Sequence, residues 1–370
     1  MELLFLIRAL NYGGAERQLV ELAIGLHRRG RKVAVAVFYG GGPLEPELRR
    51  EGVPVYPLNK SGRWDVFGFI IRLIQLIRDK RPGLLYSYLE VPNVLAVTIK
   101  PVFPRLRTVW GVRSSNMDLS QYDWMARITY GAARRLSRFA DTIIVNSKAG
   151  EEFAARYGYP QHKMVVIPNG IDTERFRPDP AAREKVRSEW GVGSDELLVG
   201  LPGRLDPMKD HTNFLKAAAL LSQQRSNVRF VCVGGGPAVY REQLEGTARE
   251  LCLAPLLRWA GARHDMEAVY NALDVAVSSS YGEGFPNVVG EAMASGLPCV
   301  VTDVGDSGLV VGDTGFVVPP KDPEALAEAL ARCLESDRAE LGRRARERIL
   351  QHFSLENLIS STERALWPTD

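Results

Sequence analysis

The sequence contains few of the residues that bind metals or form disulfides. Its 370 residues include four cysteines and five histidines, with no C-x-x-C pair and no H-E-x-x-H motif. The cysteines, Cys232, Cys252, Cys299 and Cys333, lie mostly within apolar segments. This pattern argues against a zinc site or a disulfide-stabilised secreted domain, and it predicts reduced thiols in a cytoplasmic protein.

Several other signals are missing. No run approaches the roughly 18 apolar residues of a membrane-spanning helix. The apolar first ten residues are interrupted by Arg8 and lack a small-residue cleavage site, so they favour a buried strand over a secretion signal. The sequence contains neither the G-x-G-x-x-G fingerprint of nicotinamide dinucleotide binding nor an Asp-x-Asp pair for a divalent metal. We therefore expect no metal and no cofactor.

The length and the alternating pattern predict two α/β domains. At 370 residues, the chain is long enough for two cores, and its 45% hydrophobic and 25% charged residues are ordinary for a globular protein. Apolar strands alternate with amphipathic helices in both halves, which predicts parallel sheets. We place the domains at residues 1–172 and 173–350, with a final helical segment at 351–370.

The charge is unevenly distributed along the chain. Residues 1–170 contain 25 Lys and Arg against 14 Asp and Glu, whereas the remainder contains 22 against 30. The basic half calls for an anionic partner, and a membrane surface or a lipid phosphate fits that requirement. No nucleic-acid-binding motif accompanies the charge, so we do not expect nucleic acid to be that partner.

Two segments of the basic half are both amphipathic and cationic. These are residues 67–81 and residues 124–139. Helices of this kind can lie in the interface of a membrane. The alternative is that each helix packs on the sheet with its arginines in water.

The most informative stretch runs from Ser278 to Val301. It predicts a strand, a glycine-rich loop, a short helix for which Asn287 is a candidate cap, and a second strand. A helix N-terminus at the carboxyl edge of a parallel sheet is suited to binding an anion. Glu283 in the loop and Glu291 in the helix place two carboxylates beside it. Taken alone, two Glu residues at this spacing would more simply be solvated charges on an ordinary crossover.

A second cluster of charge follows the strand at residues 197–201. Arg204 and Lys209 lie five residues apart in the loop after this strand, where a planar guanidinium and a compact ammonium can hold one anion from two sides. The alternative is a pair of unrelated surface cations.

These motifs together resemble the E-x7-E signature and the G-R-(x)4-K diphosphate clamp of retaining glycosyltransferases of family four. The resemblance covers nearly the whole chain and is strongest in residues 197–320. It implies the GT-B fold, an α/β architecture of two facing Rossmann-like domains with parallel sheets and a C-terminal helix that crosses back to the first domain. The first domain would bind the acceptor, and the second would bind most of the donor.

The resemblance also implies roles for individual residues. Glu283 would bind hydroxyl groups of the transferred sugar, Glu291 the ribose, and Arg204 with Lys209 the diphosphate. The full donor-binding set would be Gly13, Gly14, Arg204, Lys209, Arg263, Glu283, Gly284, Phe285, Asn287, Val288 and Glu291.

One position departs from the family pattern. Many relatives have a histidine after the strand at residues 108–112, where it contacts the transferred sugar. This chain has no histidine there, and Arg113 or Ser114 would take its place. The expected catalytic set is therefore Glu283, Arg204, Lys209 and Arg113.

The implied function is retaining transfer of a hexose or N-acetylhexosamine, with a UDP-sugar as the expected donor. The acceptor would be a glycan or a polyprenyl-diphosphate-linked glycan in polysaccharide assembly. The protein would then be cytoplasmic and peripheral on the inner face of the plasma membrane. Two alternatives remain, a GT-B nucleotide-sugar epimerase and a non-catalytic module that binds sugar nucleotides. The base, the sugar, the acceptor and the linkage stay open.

Overall fold

The chain folds into two compact units. The computed structural model describes residues 1–62, 64–113 and 124–368. One unit combines Met1–Gly170 with Leu355–Asp370, and the other comprises Ile171–Ser354. The sequence analysis had placed the first boundary at 172 and the start of the returning segment at 351.

The first unit contains a seven-stranded sheet in which every pair of neighbouring strands is parallel. Its strands are β1 (Leu3–Ile7), β2 (Val33–Val37), β3 (Val55–Pro57), β4 (Leu84–Tyr88), β5 (Arg107–Val112), β6 (Thr142–Val145) and β7 (Met164–Val166), in the order β3-β2-β1-β4-β5-β6-β7. Strands β1, β2 and β4 are buried along their whole length. Such continuous apolar strands indicate a sheet that is covered on both faces.

Helices connect these strands and cover the sheet. They are α1 (Gly14–Arg28), α2 (Glu45–Arg50), α3 (Phe67–Lys80), α4 (Glu90–Thr98), α5 (Trp124–Leu136) and α6 (Lys148–Tyr157). The two segments predicted to be amphipathic form α3 and α5. Helix α3 packs against the sheet through Phe69, Leu73 and Ile77, which are almost fully buried. None of the described helices is long and apolar enough to span a bilayer.

The second unit repeats this architecture with six parallel strands. They are β8 (Leu197–Pro202), β9 (Val228–Val233), β10 (Leu257–Gly261), β11 (Val275–Ser278), β12 (Cys299–Thr302) and β13 (Phe316–Val318), in the order β10-β9-β8-β11-β12-β13. The helices are α7 (Pro180–Trp190), α8 (His211–Gln224), α9 (Ala238–Glu250), α10 (Met266–Ala272), α11 (Asn287–Ala294), α12 (Ser307–Val311), α13 (Pro323–Glu335) and α14 (Arg338–His352).

The last helix, α15 (Leu355–Leu366), belongs to the first unit. It lies against α1 at a point where α1 contains Gly25. A Cβ atom on Gly25 would lie 2.2 Å from Cδ1 of Ile359, so a larger residue there would require the Ile359 side chain to move. Arg29 of α1 also donates to Glu363 of α15 at 2.8 Å. The predicted return of the C-terminal helix to the first domain is confirmed.

Both sheets have a point at which the strand order reverses. The reversal lies between β1 and β4 in the first sheet and between β8 and β11 in the second. Loops that leave the carboxyl ends of these neighbouring strands diverge and leave a crevice, which is the usual ligand site of an open α/β sheet.

Candidate active site

Two loops meet at the reversal point of the second sheet. Residues 203–210 follow β8, and residues 279–286 follow β11, its parallel neighbour. The Ser279 hydroxyl donates to the carbonyl oxygens of Lys209 and Asp210 at 2.9 and 3.0 Å. The backbone N–H of Tyr281 donates to the Met208 carbonyl at 3.0 Å. These bonds tie together two motifs that are about 70 residues apart in the chain.

Lys209 and Glu283 form an ion pair between these loops. The Lys209 Nζ donates to Oε1 of Glu283, and the Ser280 hydroxyl donates to the same oxygen at 2.8 Å. The lysine side chain is 21% exposed and the glutamate side chain 11% exposed, so the pair is largely withdrawn from water. Removal from water strengthens the electrostatic interactions of both groups. Because of this ion pair, Lys209 and Glu283, which were predicted from separate motifs, lie in one site.

Arg204, the other half of the predicted clamp, has a different environment. Its side chain is 79% exposed, and its guanidinium lies 3.7 Å from the Asp206 carboxylate. The loop backbone is nevertheless fixed, because the Gly203 N–H donates to Val233 at 2.8 Å and the Leu205 N–H donates to Gly235 at 2.9 Å. Arg204 thus projects from a rigid loop into solvent.

The segment 283–285 is held by a neighbouring turn. The Asp306 N–H donates to the Gly284 carbonyl at 3.0 Å, and Gly305 adopts a left-handed conformation with φ of 56°. A Cβ atom at Gly305 would lie 2.3 Å from the Glu283 carbonyl oxygen, so glycine is required there. Phe285 is buried against Phe353, with ring centroids 5.6 Å apart.

Helix α11 begins immediately after this segment, and its capping differs from the prediction. Pro286 occupies the cap position, no side chain caps the helix, and Asn287 is the first helical residue. Asn287 as a cap is therefore wrong. The reason is that proline and the buried Phe285 fix the entry of the chain, so the helix begins at Asn287 itself. Its N–H donates to Phe285 at 3.1 Å, and Val288 follows in the first turn.

Glu291 lies one turn further along α11. The hydroxyl of Tyr270, on α10, donates to Oε2 of Glu291 at 2.7 Å. Burial, together with the adjacent Glu291 carboxylate, raises the pKa of Tyr270 well above its ordinary value, so this tyrosine remains a proton donor. The sequence analysis did not identify Tyr270, which lies in an apolar helix with no motif around it.

Arg263 is engaged in a local ion-pair cluster. Its guanidinium contacts Glu189 at 2.5 Å and Asp265 at 2.8 Å. Hydrogen bonds to these two carboxylates raise the pKa of Arg263 above its ordinary value. The predicted contact with the donor base would have to compete with both carboxylates.

Gly13 and Gly14 lie where the first sheet reverses. They separate β1 from α1, with Gly13 as the residue before the helix and Gly14 as its first residue. A Cβ atom on Gly13 would lie 2.2 Å from Oε2 of Glu16. The predicted glycine turn is therefore found at the start of α1.

Arg113 follows β5 in the first unit, and the hydrogen-bond partners that the structure describes for its guanidinium are neutral. Its guanidinium donates to the hydroxyls of Tyr86 and Tyr88 at 2.9 and 2.7 Å and to Oδ1 of Asn169 at 3.2 Å. It also lies 4.4 Å from the ring centroid of Tyr88. Its Nε is buried without a hydrogen-bond partner, and in the described part of the chain no carboxylate forms an ion pair with it. Ser114, the alternative to Arg113, lies outside the described residues.

Metal-ligating side chains are not clustered in the part of the chain that the structure describes. No group of three or more His, Cys, Asp or Glu residues there is arranged to hold a metal ion. The four cysteines are free thiols; Cys252 is exposed, and the other three are buried.

Family models match both units. The model for Glycosyltransferase Family 4 matches residues 12–175, and the model for Glycosyl transferases group 1 matches residues 196–336. Among curated relatives, a candidate glycosyltransferase, EpsF of Bacillus subtilis (strain 168), is 29% identical over 81% of this chain and 78% of its own length. The D-inositol 3-phosphate glycosyltransferase of Saccharomonospora viridis is 34% identical over 58% of this chain, and the match spans about half (52%) of that relative.

Solved structures share the fold over the whole chain. HepE of Anabaena, crystallised with UDP and with UDP-glucose, has a TM-score of 0.87 at 24% identity and covers 99% of both chains. Sucrose-phosphate synthase from Thermosynechococcus elongatus has a TM-score of 0.83 at 21% identity and covers 98% of both. The predicted GT-B fold is confirmed, and the matches of both domains, the relatives and the fold together support a GT-B glycosyltransferase.

Proposed function

We propose that this protein is a retaining hexosyltransferase that transfers a hexose or N-acetylhexosamine from a nucleoside diphosphate sugar to a glycan or lipid-linked acceptor. The observation that carries the proposal is the arrangement of Lys209, Ser280 and Glu283 at the reversal point of the second sheet. A cation for phosphate and a fixed carboxylate for sugar hydroxyls lie within one hydrogen-bonded cluster. A sugar nucleotide presents both kinds of group side by side.

The expected donor is a UDP-sugar. Structures of HepE, which has the same fold, contain UDP and UDP-glucose, and we extend that ligand class to this chain. Lys209 and the N-terminal amides of α11 would face the diphosphate, because cations and helix N-termini both stabilise phosphate charge. Arg204 would close on the same group from its exposed position. The Tyr270–Glu291 pair would bind the ribose hydroxyls, which is the role that the family resemblance gives Glu291.

The chemical step breaks the bond between the anomeric carbon and the departing diphosphate oxygen. A new bond forms to the acceptor oxygen on the same face of the sugar, and the acceptor proton passes to the leaving phosphate. Negative charge grows on the diphosphate as the bond stretches, so pre-positioned cations and amides lower the barrier. We propose that Lys209, Arg204 and α11 supply this stabilisation without a metal ion.

Glu283 is proposed to hold the transferred sugar. In the structure its carboxylate is oriented by Lys209 and Ser280, so its position is fixed before the donor arrives. Donor binding would replace the lysine contact of Glu283 with sugar hydroxyls and would turn Lys209 towards phosphate. Once the donor is bound, these groups would need little further rearrangement during the chemical step, which favours catalysis.

The first unit is proposed to bind the acceptor. Arg113 offers a positive charge without a carboxylate partner among the described residues, and an anionic acceptor such as a polyprenyl-diphosphate-linked glycan would complement it. The surplus of basic residues in the first 170 positions would favour the anionic inner face of the plasma membrane. We therefore propose a cytoplasmic, peripheral enzyme of polysaccharide assembly.

A panel of nucleotide sugars tests the donor assignment. Thermal unfolding of the wild-type protein is measured with UDP-, GDP- and ADP-sugars and with the matching nucleoside monophosphates. A ligand at 100 times its dissociation constant stabilises the native state by about 2.7 kcal/mol, so a UDP-sugar should raise the melting temperature clearly. If UDP-sugars fail and another base succeeds, the UDP assignment is wrong; if no sugar nucleotide stabilises the protein, the function is wrong.

Nuclear magnetic resonance analysis of the products separates the proposed reaction from its alternatives, because it distinguishes epimers and anomers. The protein is incubated with the stabilising donor, with and without a polyprenyl-diphosphate-linked acceptor. Transfer gives a glycosylated acceptor with retained anomeric configuration and free nucleoside diphosphate. An epimerised sugar formed without acceptor would identify an epimerase, and unchanged donor under all conditions would identify a binding module.

A further inference from the structure

A pocket in the first unit lies away from the residues assigned to catalysis. It has a volume of about 490 Å³, and its lining includes Arg78, Arg81 and Arg105. Arg81 precedes β4 and Arg105 precedes β5, so the pocket lies at the amino edge of the sheet. Arg113 follows the carboxyl end of β5, roughly 25 Å away at about 3.3 Å per strand residue. The pocket is therefore separate from the proposed acceptor site.

The three arginines are available to an external anion. All three are exposed, and within the described parts of the chain none of them forms an ion pair or a side-chain hydrogen bond. No Asp or Glu is among the described residues that line the pocket. Val102 and Phe103 add apolar surface next to the charges. A ligand that combines negative charge with an apolar part would match this lining.

Arg81 occupies a backbone position at which glycine would be favoured. It ends α3 in the left-handed conformation, with φ of 47° and ψ of 56°. This conformation is unfavourable for a residue with a side chain, and helices commonly place glycine there. The position also offers a variant, Arg81→Gly, that removes the charge while relieving the backbone.

The outward face of α3 leads from an apolar end to this pocket. Phe67 is 84% exposed and Ile71 is 54% exposed, and Trp64, just before the helix, is 85% exposed. At about 100° per residue, Phe67, Ile71 and Arg78 lie within about 40° of one another on the helix surface. The side chains that α3 buries, such as Leu73 and Ile77, point into the core instead. One continuous surface thus carries aromatic groups at one end and arginines at the other.

We propose that this surface binds an anionic lipid bilayer, with Arg78, Arg81 and Arg105 holding a lipid phosphate and Trp64, Phe67 and Ile71 entering the interface. Exposed aromatic residues favour the interfacial zone of a membrane, and arginines beside them favour anionic head groups. Residues 60–81 contain six basic and two acidic side chains, which adds to the attraction. The inference rests on the proposed peripheral membrane association and assigns it to α3 and the pocket at its end.

Vesicle sedimentation with charge-matched variants tests the arginine pocket. The full chain is mixed with vesicles of phosphatidylcholine, with or without one quarter phosphatidylglycerol. Each basic residue near an anionic surface is worth about fivefold in binding, which corresponds to about 1 kcal/mol. The variant Arg78→Gln, Arg81→Gly, Arg105→Gln should therefore bind anionic vesicles about 100-fold more weakly. A control, Lys185→Gln, Lys216→Gln, Arg249→Gln, removes three exposed charges from the second unit and should stay within about threefold of wild type.

Tryptophan fluorescence tests the apolar end of the surface. Anionic vesicles should shift the emission of the wild-type protein to shorter wavelength, because Trp64 leaves water for the interface. The variant Trp64→Phe should lose this shift while still sedimenting with the vesicles. An unchanged shift in Trp64→Phe would mean that another tryptophan enters the membrane, and the assignment to α3 would be wrong.

Three outcomes overturn the proposal. If the pocket variant and its control lost equal affinity for anionic vesicles, the binding would depend on overall surface charge and not on the pocket. Release of the wild-type protein by sodium phosphate, but not by sodium chloride of equal ionic strength, would identify a free phosphate as the ligand instead of a lipid. A change in oligomeric state on Trp64→Ser with Phe67→Ser, with vesicle binding unchanged, would make the face a protein interface.

The pocket and the transferase function can fail independently. The same nucleotide sugar should raise the melting temperature of the pocket variant and of the wild-type protein equally, and both should release sugar from that donor at the same rate. The reason is that the pocket lies at the opposite edge of the sheet from Arg113 and contains none of the second unit's donor residues. If the protein transferred no sugar but its vesicle binding still depended on the pocket, the lipid-site proposal would hold and only the proposed transferase function would be wrong.

Discussion

The two units hold their central cations in opposite ways. In the second unit, Lys209 is paired with the Glu283 carboxylate. In the first unit, Arg113 donates to two tyrosine hydroxyls and one amide oxygen, all of them neutral. Burial raises the pKa of both Tyr86 and Tyr88, and that of Tyr88 well above its usual value, so neither tyrosine becomes an anion near pH 7. Among the described residues, the Lys209–Glu283 pair is neutral overall, whereas the groups around Arg113 leave its positive charge unbalanced.

This difference indicates how each site would respond to substrate. A sugar nucleotide can exchange partners with the Lys209–Glu283 pair, because phosphate replaces the carboxylate and sugar hydroxyls replace the ammonium. Lys209 and Glu283 are already largely withdrawn from water, so donor binding requires less additional desolvation of these charges. Arg113 has no internal counter-charge to exchange among the described residues, so an anionic ligand would add a favourable interaction without displacing one.

The largest effect is expected from removing the carboxylate of the paired site. Glu283→Ala should lower the rate of sugar transfer by on the order of 1,000-fold, about 4 kcal/mol in activation free energy. The reason is that the sugar loses the group that orients it while the diphosphate contacts remain. Steady-state transfer rates and UDP titration measure the two effects separately, and UDP affinity should change by less than about threefold.

A matched carboxylate variant sharpens this expectation. Glu291→Ala removes a carboxylate from the same helix region but is expected to weaken UDP binding, because its proposed partner is the ribose. If Glu283→Ala and Glu291→Ala reduced UDP affinity alike and spared the transfer rate, the roles proposed for the two glutamates would be wrong.

The next effect concerns the cation of the same pair. Lys209→Ala should weaken UDP binding by about 100-fold, about 2.7 kcal/mol, because a charge-assisted contact with the diphosphate is lost. Binding of uridine, which has no phosphate, should be nearly unchanged, and calorimetric titration with both ligands measures the contrast. Arg204→Ala is the comparison variant, and its exposed side chain predicts a smaller loss. If Lys209→Ala weakened the binding of UDP and of uridine equally, Lys209 would not contact the diphosphate.

The two sites differ in how well the sequence predicts their residues. The paired site could be predicted because its groups lie in two short loops after strands, each with charged residues and glycines at distinctive spacing. Its partners Ser280 and Tyr270 were missed as functional groups, since a serine in a Ser-Ser-Ser run and a tyrosine in an apolar helix give no separate signal. The cap at Asn287 was wrong because the neighbouring Phe285 is fixed by packing that the local sequence does not reveal.

The site around Arg113 was harder to predict. Tyr86 and Tyr88 lie within a fully buried strand, where tyrosine normally indicates packing, and Asn169 is 56 residues from Arg113 in the chain. Only the strand order β4-β5-β6-β7 brings these groups together. The parallel α/β fold itself follows from the strand and helix pattern, whereas contacts between side chains on separate strands depend on register that one sequence does not specify.

Stability measurements should distinguish the two cations directly. Lys209→Met leaves Glu283 largely buried without its counter-charge, which should lower the free energy of unfolding by about 2 kcal/mol. Arg113→Met leaves only neutral hydroxyls and an amide and removes a partly buried charge, so its cost should be below about 1 kcal/mol. Denaturant unfolding without ligand compares the two variants at equal side-chain length. A larger loss for Arg113→Met would mean that the hydrogen bonds of Arg113 to Tyr86, Tyr88 and Asn169 stabilise the fold more than the Lys209–Glu283 pair does.

The smallest effect comes from a histidine beside the paired site. His211 is fully buried at the start of α8, and neither of its ring nitrogens has a hydrogen-bond partner among the described residues. Burial, reinforced by the nearby charge of Lys209 and opposed by Asp206, lowers the pKa of His211 to about 4. In the unfolded chain the ordinary pKa is about 6.5, so below that pH the unfolded state binds the extra proton. Stability should therefore fall as the pH drops from about 6.5 towards 4.

Between pH 7 and pH 5.5 this linkage amounts to about 1 kcal/mol from His211 alone. His211→Leu removes the titrating group and should flatten that part of the stability curve, whereas His162→Gln, at an exposed position, should leave the slope unchanged. Urea unfolding at half-unit pH intervals measures the three slopes. Lys209→Met should also reduce the effect of His211, because a positive charge that opposes protonation has gone. Parallel curves for wild type and His211→Leu would show that the histidine is not held neutral, and that the interior next to the ion pair is more polar than its packing indicates.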